Sequence, residues 1–262
     1  MFKGSIVALI TPFKNNKLDE TNYANLIHHH IENGTNGIVP AGTTGESPTL
    51  SHDEHKKVIE IAVKECQGKI PVIAGTGSNS TSEAVSLSKH AEQSGANGLL
   101  IVTPYYNKPT QEGLYQHYKK INDSVGIPII IYNIPSRSVI DMEVATMARL
   151  YELKNIKGVK DATGDLNRVN LQLKAMGQEF IQLTGEDHNA LDFNALGGVG
   201  CISVTANVAS KLCSDFQKNS LNKLDLDSQS KAKEINSLLQ PLHKALFIES
   251  NPSPVKYAAS LL

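Results

Sequence analysis

The sequence predicts a (β/α)8 TIM barrel with a C-terminal helical appendage, and three observations carry the prediction. Short runs rich in Ile and Val recur about eight times, segments with helix-start signals separate them, and no Gly-rich dinucleotide fingerprint follows the first run. Units of this size, repeated over roughly 210 residues, suit a closed cylinder of parallel strands better than a doubly wound open sheet.

In chain order the runs are residues 5–10, 37–40, 70–74, 98–102, 127–132, 156–160, 180–184 and 199–203. Each is short, apolar and bordered by Gly, Pro or polar residues, as expected of strands buried on both faces. The segments between them begin with recognisable caps. Ser51-His52-Asp53-Glu54 and Ser80-Thr81-Ser82-Glu83 match the capping box, in which hydroxyl and carboxylate satisfy each other's free backbone N–H. Asp141, Asp165 and Asp187 are each placed to cap a following helix, and Gly34, Gly95 and Gly197 to close a preceding one. Beyond Val208 the strands stop, and Ile235, Leu238, Leu239, Leu242 and Leu246 mark an apolar helical stripe. The expected division is therefore a barrel over residues 1–208 and a helical segment over residues 209–262. The last residues, Val255-Lys256-Tyr257-Ala258-Ala259-Ser260-Leu261-Leu262, lack a C-cap, so this appendage looks shortened.

A chain of 262 residues with 40% hydrophobic content can bury a sizeable core. Its net charge of −1 offers no basic stripe, so no nucleic-acid partner is expected, and the lack of a long apolar run argues against a membrane span. Met1-Phe2-Lys3-Gly4 leads directly into a strand without the zones of a signal peptide, which points to a cytoplasmic protein. Cys66, Cys201 and Cys213 have no CxxC spacing, so they read as small buried hydrophobes rather than disulfide partners or metal ligands. His28, His29 and His30 diverge by about 100° on a helix, cannot share one metal, and read as a partly solvated face. His52 and His55 lack a third ligand fixed by the sequence, and no metal site is expected.

In this fold the chemistry sits at the carboxyl ends of the strands. There the sequence places Thr43 and Thr44 after the second run, Tyr105 and Tyr106 after the fourth, Tyr132 at the end of the fifth and Lys160 at the end of the sixth. Gly185-Glu186-Asp187 follows the seventh, where its acidity argues against a phosphate cup, and Ile202 lies in the eighth. Lys160 on its own could snorkel into solvent. Burial would instead strip hydration from the ammonium and favour the neutral amine that attacks a ketone to form a Schiff base. Hydroxyls gathered on the same rim could carry the protons such chemistry moves.

Gly42-Thr43-Thr44-Gly45-Glu46, Tyr132-Asn133-Ile134-Pro135-Ser136-Arg137, Gly158-Val159-Lys160-Asp161-Ala162-Thr163-Gly164-Asp165 and Gly185-Glu186-Asp187, in this order, closely resemble the dihydrodipicolinate synthase family of pyruvate-dependent aldolases. The likeness extends to Asn251-Pro252-Ser253-Pro254-Val255-Lys256. It implies that Lys160 forms an imine with pyruvate, whose enamine attacks L-aspartate 4-semialdehyde, with no cofactor beyond that covalent link. It further implies proton transfer by Tyr132 with Thr43 and with Tyr106 from a neighbouring subunit, hence a homodimer or homotetramer. Thr44, Gly185 and the backbone at Ile202 would hold the pyruvate skeleton, and Arg137 would grip the semialdehyde carboxylate.

Ser47, His52, His55, Asn79, Glu83 and Tyr105 match an allosteric lysine pocket of some family members, although Glu83 also suits a capping role and the two histidines a helix start. Two other readings remain at this level. One is a related pyruvate-dependent lyase acting on N-acetylneuraminate or a 2-keto-3-deoxy sugar acid, which would share Lys160 and Tyr132. The other is a barrel without catalysis.

Overall fold

The structure, a computed structural model, describes residues 2–262. It opens with β1 (Gly4–Ala8), followed by a small antiparallel hairpin of β2 (Phe13–Lys14) and β3 (Lys17–Leu18) that the apolar pattern does not foreshadow. Seven further strands complete the barrel: β4 (Gly37–Val39), β5 (Ile73–Gly75), β6 (Gly98–Val102), β7 (Ile129–Asn133), β8 (Ile156–Asp161), β9 (Ile181–Thr184) and β10 (Gly200–Ser203). Each pairs in parallel with its sequence neighbours, and β1 joins both β4 and β10. The ring closes between β4 and β5, where Ile38 pairs with Val72 and its N–H donates to Pro71 O at 3.0 Å.

Alternation along the strands builds two apolar layers. Ile6, Ala8, Val39, Ile73, Leu100, Ile130, Leu183 and Ile202 fill the barrel interior. Phe2 joins them at the amino end, and its ring stands where a Cβ on Gly98 would come within 2.7 Å. The alternate residues, among them Val7, Ile38, Leu99, Ile101, Ile129, Ile131, Val159 and Cys201, meet the surrounding helices. Burial on both faces is why the runs read as continuously apolar.

The helices are α1 (Glu20–Glu32), α2 (His52–Cys66), α3 (Thr81–Gln93), α4 (Gln111–Asn122), α5 (Pro135–Ser138), α6 (Val144–Tyr151), α7 (Asn167–Met176), α8 (Ala190–Leu196), α9 (Ser210–Ser220), α10 (Leu226–Ala245) and α11 (Ser253–Ala259). Helix α9 packs against β1 and serves as the helix of the eighth barrel unit. The expected boundary at residue 208 therefore cuts through that unit, and the appendage proper consists of α10 and α11. Within α10, Ile235 and Leu239 are buried while Leu238 is exposed, so the apolar stripe is narrower than the sequence pattern suggests.

The capping signals divide. Ser51 and Glu54 form the reciprocal box, and Gly34, Gly95 and Gly197 follow their helices at positive φ. Ser80 caps α3, but the Glu83 carboxylate turns away to Ser78 and His52, so that box is only half formed. Asp165 accepts from Asn167 N just before α7 as a cap does. Asp141 instead accepts from Asn133 at the end of β7 and from Arg168 on α7, and Asp187 from the Val204 N–H just after β10. Cys66, Cys201 and Cys213 are free and buried. His30 departs from the expected solvated face: it is fully buried, with Nδ1 3.0 Å from Thr35 Oγ1, because α1 turns that side toward the barrel.

Candidate active site

Tyr132 and Lys160 are register partners on β7 and β8, so both side chains leave the same level of the cylinder in the same direction. Lys160 Nζ lies 4.1 Å from the centre of the Tyr132 ring, and the two residues are 5% and 6% exposed. The amine thus rests on an aromatic face rather than in water. Leu183, on β9, is the register partner of Lys160 on its other side. Gly185 leaves the room the amine needs: a Cβ there would stand 2.9 Å from Lys160 Cε and 2.8 Å from Ala162 Cβ. Glu186, next in the loop, pairs with His188 at 3.7 Å, and burial raises its carboxyl while His188 and Lys160 pull the other way.

The residues after this pair face outward and are locked to each other. Asn133 and Asp161 are again register partners. Asn133 Nδ2 donates to Asp141 at 2.6 Å, and Arg168 reaches Asp141 at 3.0 Å, Asp161 at 3.1 Å and the Met142 carbonyl at 2.8 Å. Gln172 and Thr163 complete the shell of Asp161, with donors at 2.9 Å and 2.6 Å. A buried carboxylate so fully satisfied fixes the strand end that carries Lys160.

Thr43 and Thr44 lie in the loop after β4, folded tightly so that Glu46 N donates to Thr43 O and Ser47 N to Gly42 O. Gly45 is required there, since a Cβ would stand 2.9 Å from the Leu9 carbonyl. Thr44 is buried and accepts from Asn251 Nδ2 at 3.0 Å. Arg137, exposed at the end of α5, donates to the Asn251 carbonyl at 3.2 Å. Ile202 is buried in the barrel interior beside Tyr132 and Leu183.

A cleft of about 330 Å³ opens beside these residues. Thr43 and Arg137 line it together with Ser47, His52, His55, Glu83 and Tyr105, whereas Lys160 and Tyr132 do not. Asn79 stands next to it and donates to the Tyr105 carbonyl at 3.2 Å. His52 is 2.8 Å from Glu83, whose carboxyl is lowered by hydrogen bonds from Ser78 and His52. Burial pushes the His55 imidazole down to about 4. Among the described residues no group of three or more His, Cys, Asp or Glu is disposed to hold a metal ion. No helix there is long and apolar enough to cross a membrane.

Tyr106 stands apart. It is 89% exposed at φ +72° and does not meet Tyr132 within this chain. No sequence motif points to Arg168, which sits in the first turn of α7, and the Asn-Pro step by itself gives Asn251 no role.

Fold and site together define a class: (β/α)8 barrels that hold an amine against a phenol at the carboxyl rim of adjacent strands. The family model described as the dihydrodipicolinate synthetase family matches residues 1–262. The 4-hydroxy-tetrahydrodipicolinate synthase of Pelagibacter ubique strain HTCC1062 is 72% identical over 262 residues, covering 100% of this chain and 89% of the relative. Dihydrodipicolinate synthase from Aquifex aeolicus superposes with a TM-score of 0.95 at 49% identity, covering 99% of this chain and 87% of that one. The chloride-inhibited enzyme from Acinetobacter baumannii, solved with pyruvate, gives 0.96 at 46% identity, over 100% and 89% of the two chains. The chain belongs to the dihydrodipicolinate synthetase family.

Proposed function

We propose that this chain condenses pyruvate with L-aspartate 4-semialdehyde through a Schiff base on Lys160, the reaction of a 4-hydroxy-tetrahydrodipicolinate synthase in lysine and diaminopimelate biosynthesis. The observation that carries the reading is the buried Lys160 amine on the face of Tyr132. The resemblance to the pyruvate-bound relative supplies the ketone.

The Lys160 nitrogen attacks the pyruvate carbonyl carbon, and the carbinolamine loses water to give the imine. Loss of a methyl proton yields the enamine, whose carbon bonds to the semialdehyde aldehyde. The semialdehyde amino group then displaces Lys160 as the ring closes. Tyr132 and Thr43 move the protons, and the chemistry needs no cofactor. Thr44, Gly185 and the backbone at Ile202 hold pyruvate, and Arg137 offers a two-pronged grip for the semialdehyde carboxylate. Tyr106, exposed here, completes the relay in a neighbouring copy, which makes the working form a homodimer or homotetramer.

Initial rates with pyruvate plus aspartate semialdehyde, set against cleavage of N-acetylneuraminate and 2-keto-3-deoxy sugar acids, test the assignment. Turnover of the first pair alone supports it, and preferred cleavage of a sugar acid refutes it.

A regulatory reading follows from the cleft. Glu83 faces an ammonium well, and Asn79, with His52 and His55, offers an amide and imidazoles to a carboxylate, so lysine would bind there with Ser47 and Tyr105. Inhibition by millimolar lysine that Glu83→Gln abolishes supports this, and full activity at that concentration rejects it.

A further inference from the structure

Asn251 begins the stretch Asn251-Pro252-Ser253-Pro254-Val255-Lys256, which passes from α10 to α11 beside the site. Its Nδ2 donates to Thr44 Oγ1 at 3.0 Å and its main-chain carbonyl accepts from Arg137 Nη2 at 3.2 Å. The residue is only 9% exposed, and its Oδ1 is buried without a partner. Further along, Lys256 pairs with Glu46 of the Thr43–Thr44 loop and lies 4.9 Å over the Phe13 ring. One segment from the appendage therefore holds two substrate-binding candidates that come from different strand ends.

The direction of the first bond matters. A hydroxyl that accepts from an amide keeps its own proton free for another acceptor. Thr44 is thereby presented as a donor, as a carboxylate requires. Turning the amide over would direct Oδ1 at Thr44, consume that proton and bury the NH2 unpaired. The orientation in the structure leaves an acceptor unpaired instead of a donor.

We propose that Asn251 is a positioning residue for substrate carboxylates: its side chain sets the Thr44 hydroxyl as a donor toward the keto acid, while its carbonyl steadies Arg137 for the second substrate. The proposal rests on the pyruvate reading above.

Steady-state kinetics, thermal midpoints and borohydride trapping over a range of pyruvate concentrations, applied to the wild type, Asn251→Ala and Asn251→Asp, test it. Losing an oriented hydrogen bond to a charged group predicts that the Ala variant raises the pyruvate KM about tenfold, with kcat less affected. The near-isosteric Asp variant is expected to be worse still, since its carboxylate takes the Thr44 proton and repels the substrate. In a Thr44→Val background both effects on pyruvate KM should vanish. An Asp variant milder than Ala, or a fall in thermal midpoint with unchanged KM, overturns the proposal, since a packing role alone behaves in that way. If the wild type forms no trapped adduct, the Lys160 reading fails and takes this proposal with it. If it traps normally and the variants keep the wild-type KM, only the role of Asn251 is lost.

Discussion

Lys160 and Tyr132 stand side by side on adjacent parallel strands, with the amine nitrogen 4.1 Å from the centre of the phenol ring. The ring face shelters the amine, and in the proposed mechanism the hydroxyl moves protons. Tyr132→Phe separates these roles because it keeps the face and removes the acid. General acid–base catalysis contributes about 100-fold or more, so kcat should fall by at least that factor while slow trapping of pyruvate on Lys160 persists. A variant with near wild-type kcat would show that the phenol is packing alone.

Arg168 reaches the carboxylate of Asp161, the residue directly after Lys160, from behind the barrel wall. The side chains are 10% and 5% exposed, so removing one partner strands a buried charge. Arg168→Met should cost about 3–5 kcal/mol of stability, read as a lower urea midpoint. It should also reduce kcat, as the end of β8 loosens. An unchanged urea midpoint would mean that the ion pair contributes nothing to the fold.

Gly185 leaves room for the Lys160 side chain. A methyl group there would meet Lys160 Cε at 2.9 Å and Ala162 Cβ at 2.8 Å, and the alkyl chain of the lysine is the softer neighbour. Gly185→Ala should therefore displace the amine, slowing imine formation about tenfold or more, with circular dichroism unchanged. Wild-type trapping rates in this variant would remove Gly185 from the site.

Burial lowers His30 to about 3 and His55 and His117 to about 4. In the unfolded chain each titrates near 6.5, so between these values the unfolded state binds more protons. The stability that these groups contribute is complete above about pH 6.5 and is lost as the pH falls toward 4, at roughly 1 kcal/mol per pH unit for each histidine. The thermal midpoint should drop between pH 7 and pH 5, and less steeply in His117→Asn. A flat profile in both proteins would contradict buried neutral imidazoles.

Most of the scaffold was legible because strands buried on both faces leave unmistakable apolar runs, and all eight appear within a few residues of their expected positions. The β2–β3 hairpin was not, since its polar strands carry no period. The lysine and tyrosine were legible as strand-end residues on one rim, and the Tyr132–Lys160 register is what brings them together. Asp141 and Asp187 misled because an Asp before a helix resembles a cap, and only the folded chain shows that Asn133 and Arg168, or Ser203 and the Val204 N–H, claim their oxygens. Asn251 and Arg168 were out of reach for the same reason: no local pattern names their partners, which are Thr44 and Arg137 for the first and Asp161 with Asp141 for the second. The assignment of α9 depended on contact with β1, which no local pattern encodes.

The central claim is that Lys160 alone among the amines of this chain bonds covalently to pyruvate. Borohydride reduction in the presence of pyruvate, followed by intact-protein and peptide mass spectrometry, tests it most directly. The account predicts one reduced pyruvate adduct per chain, on the peptide containing Lys160, and none in Lys160→Ala. An adduct on another lysine, or undiminished labelling of the Lys160→Ala protein, would contradict it.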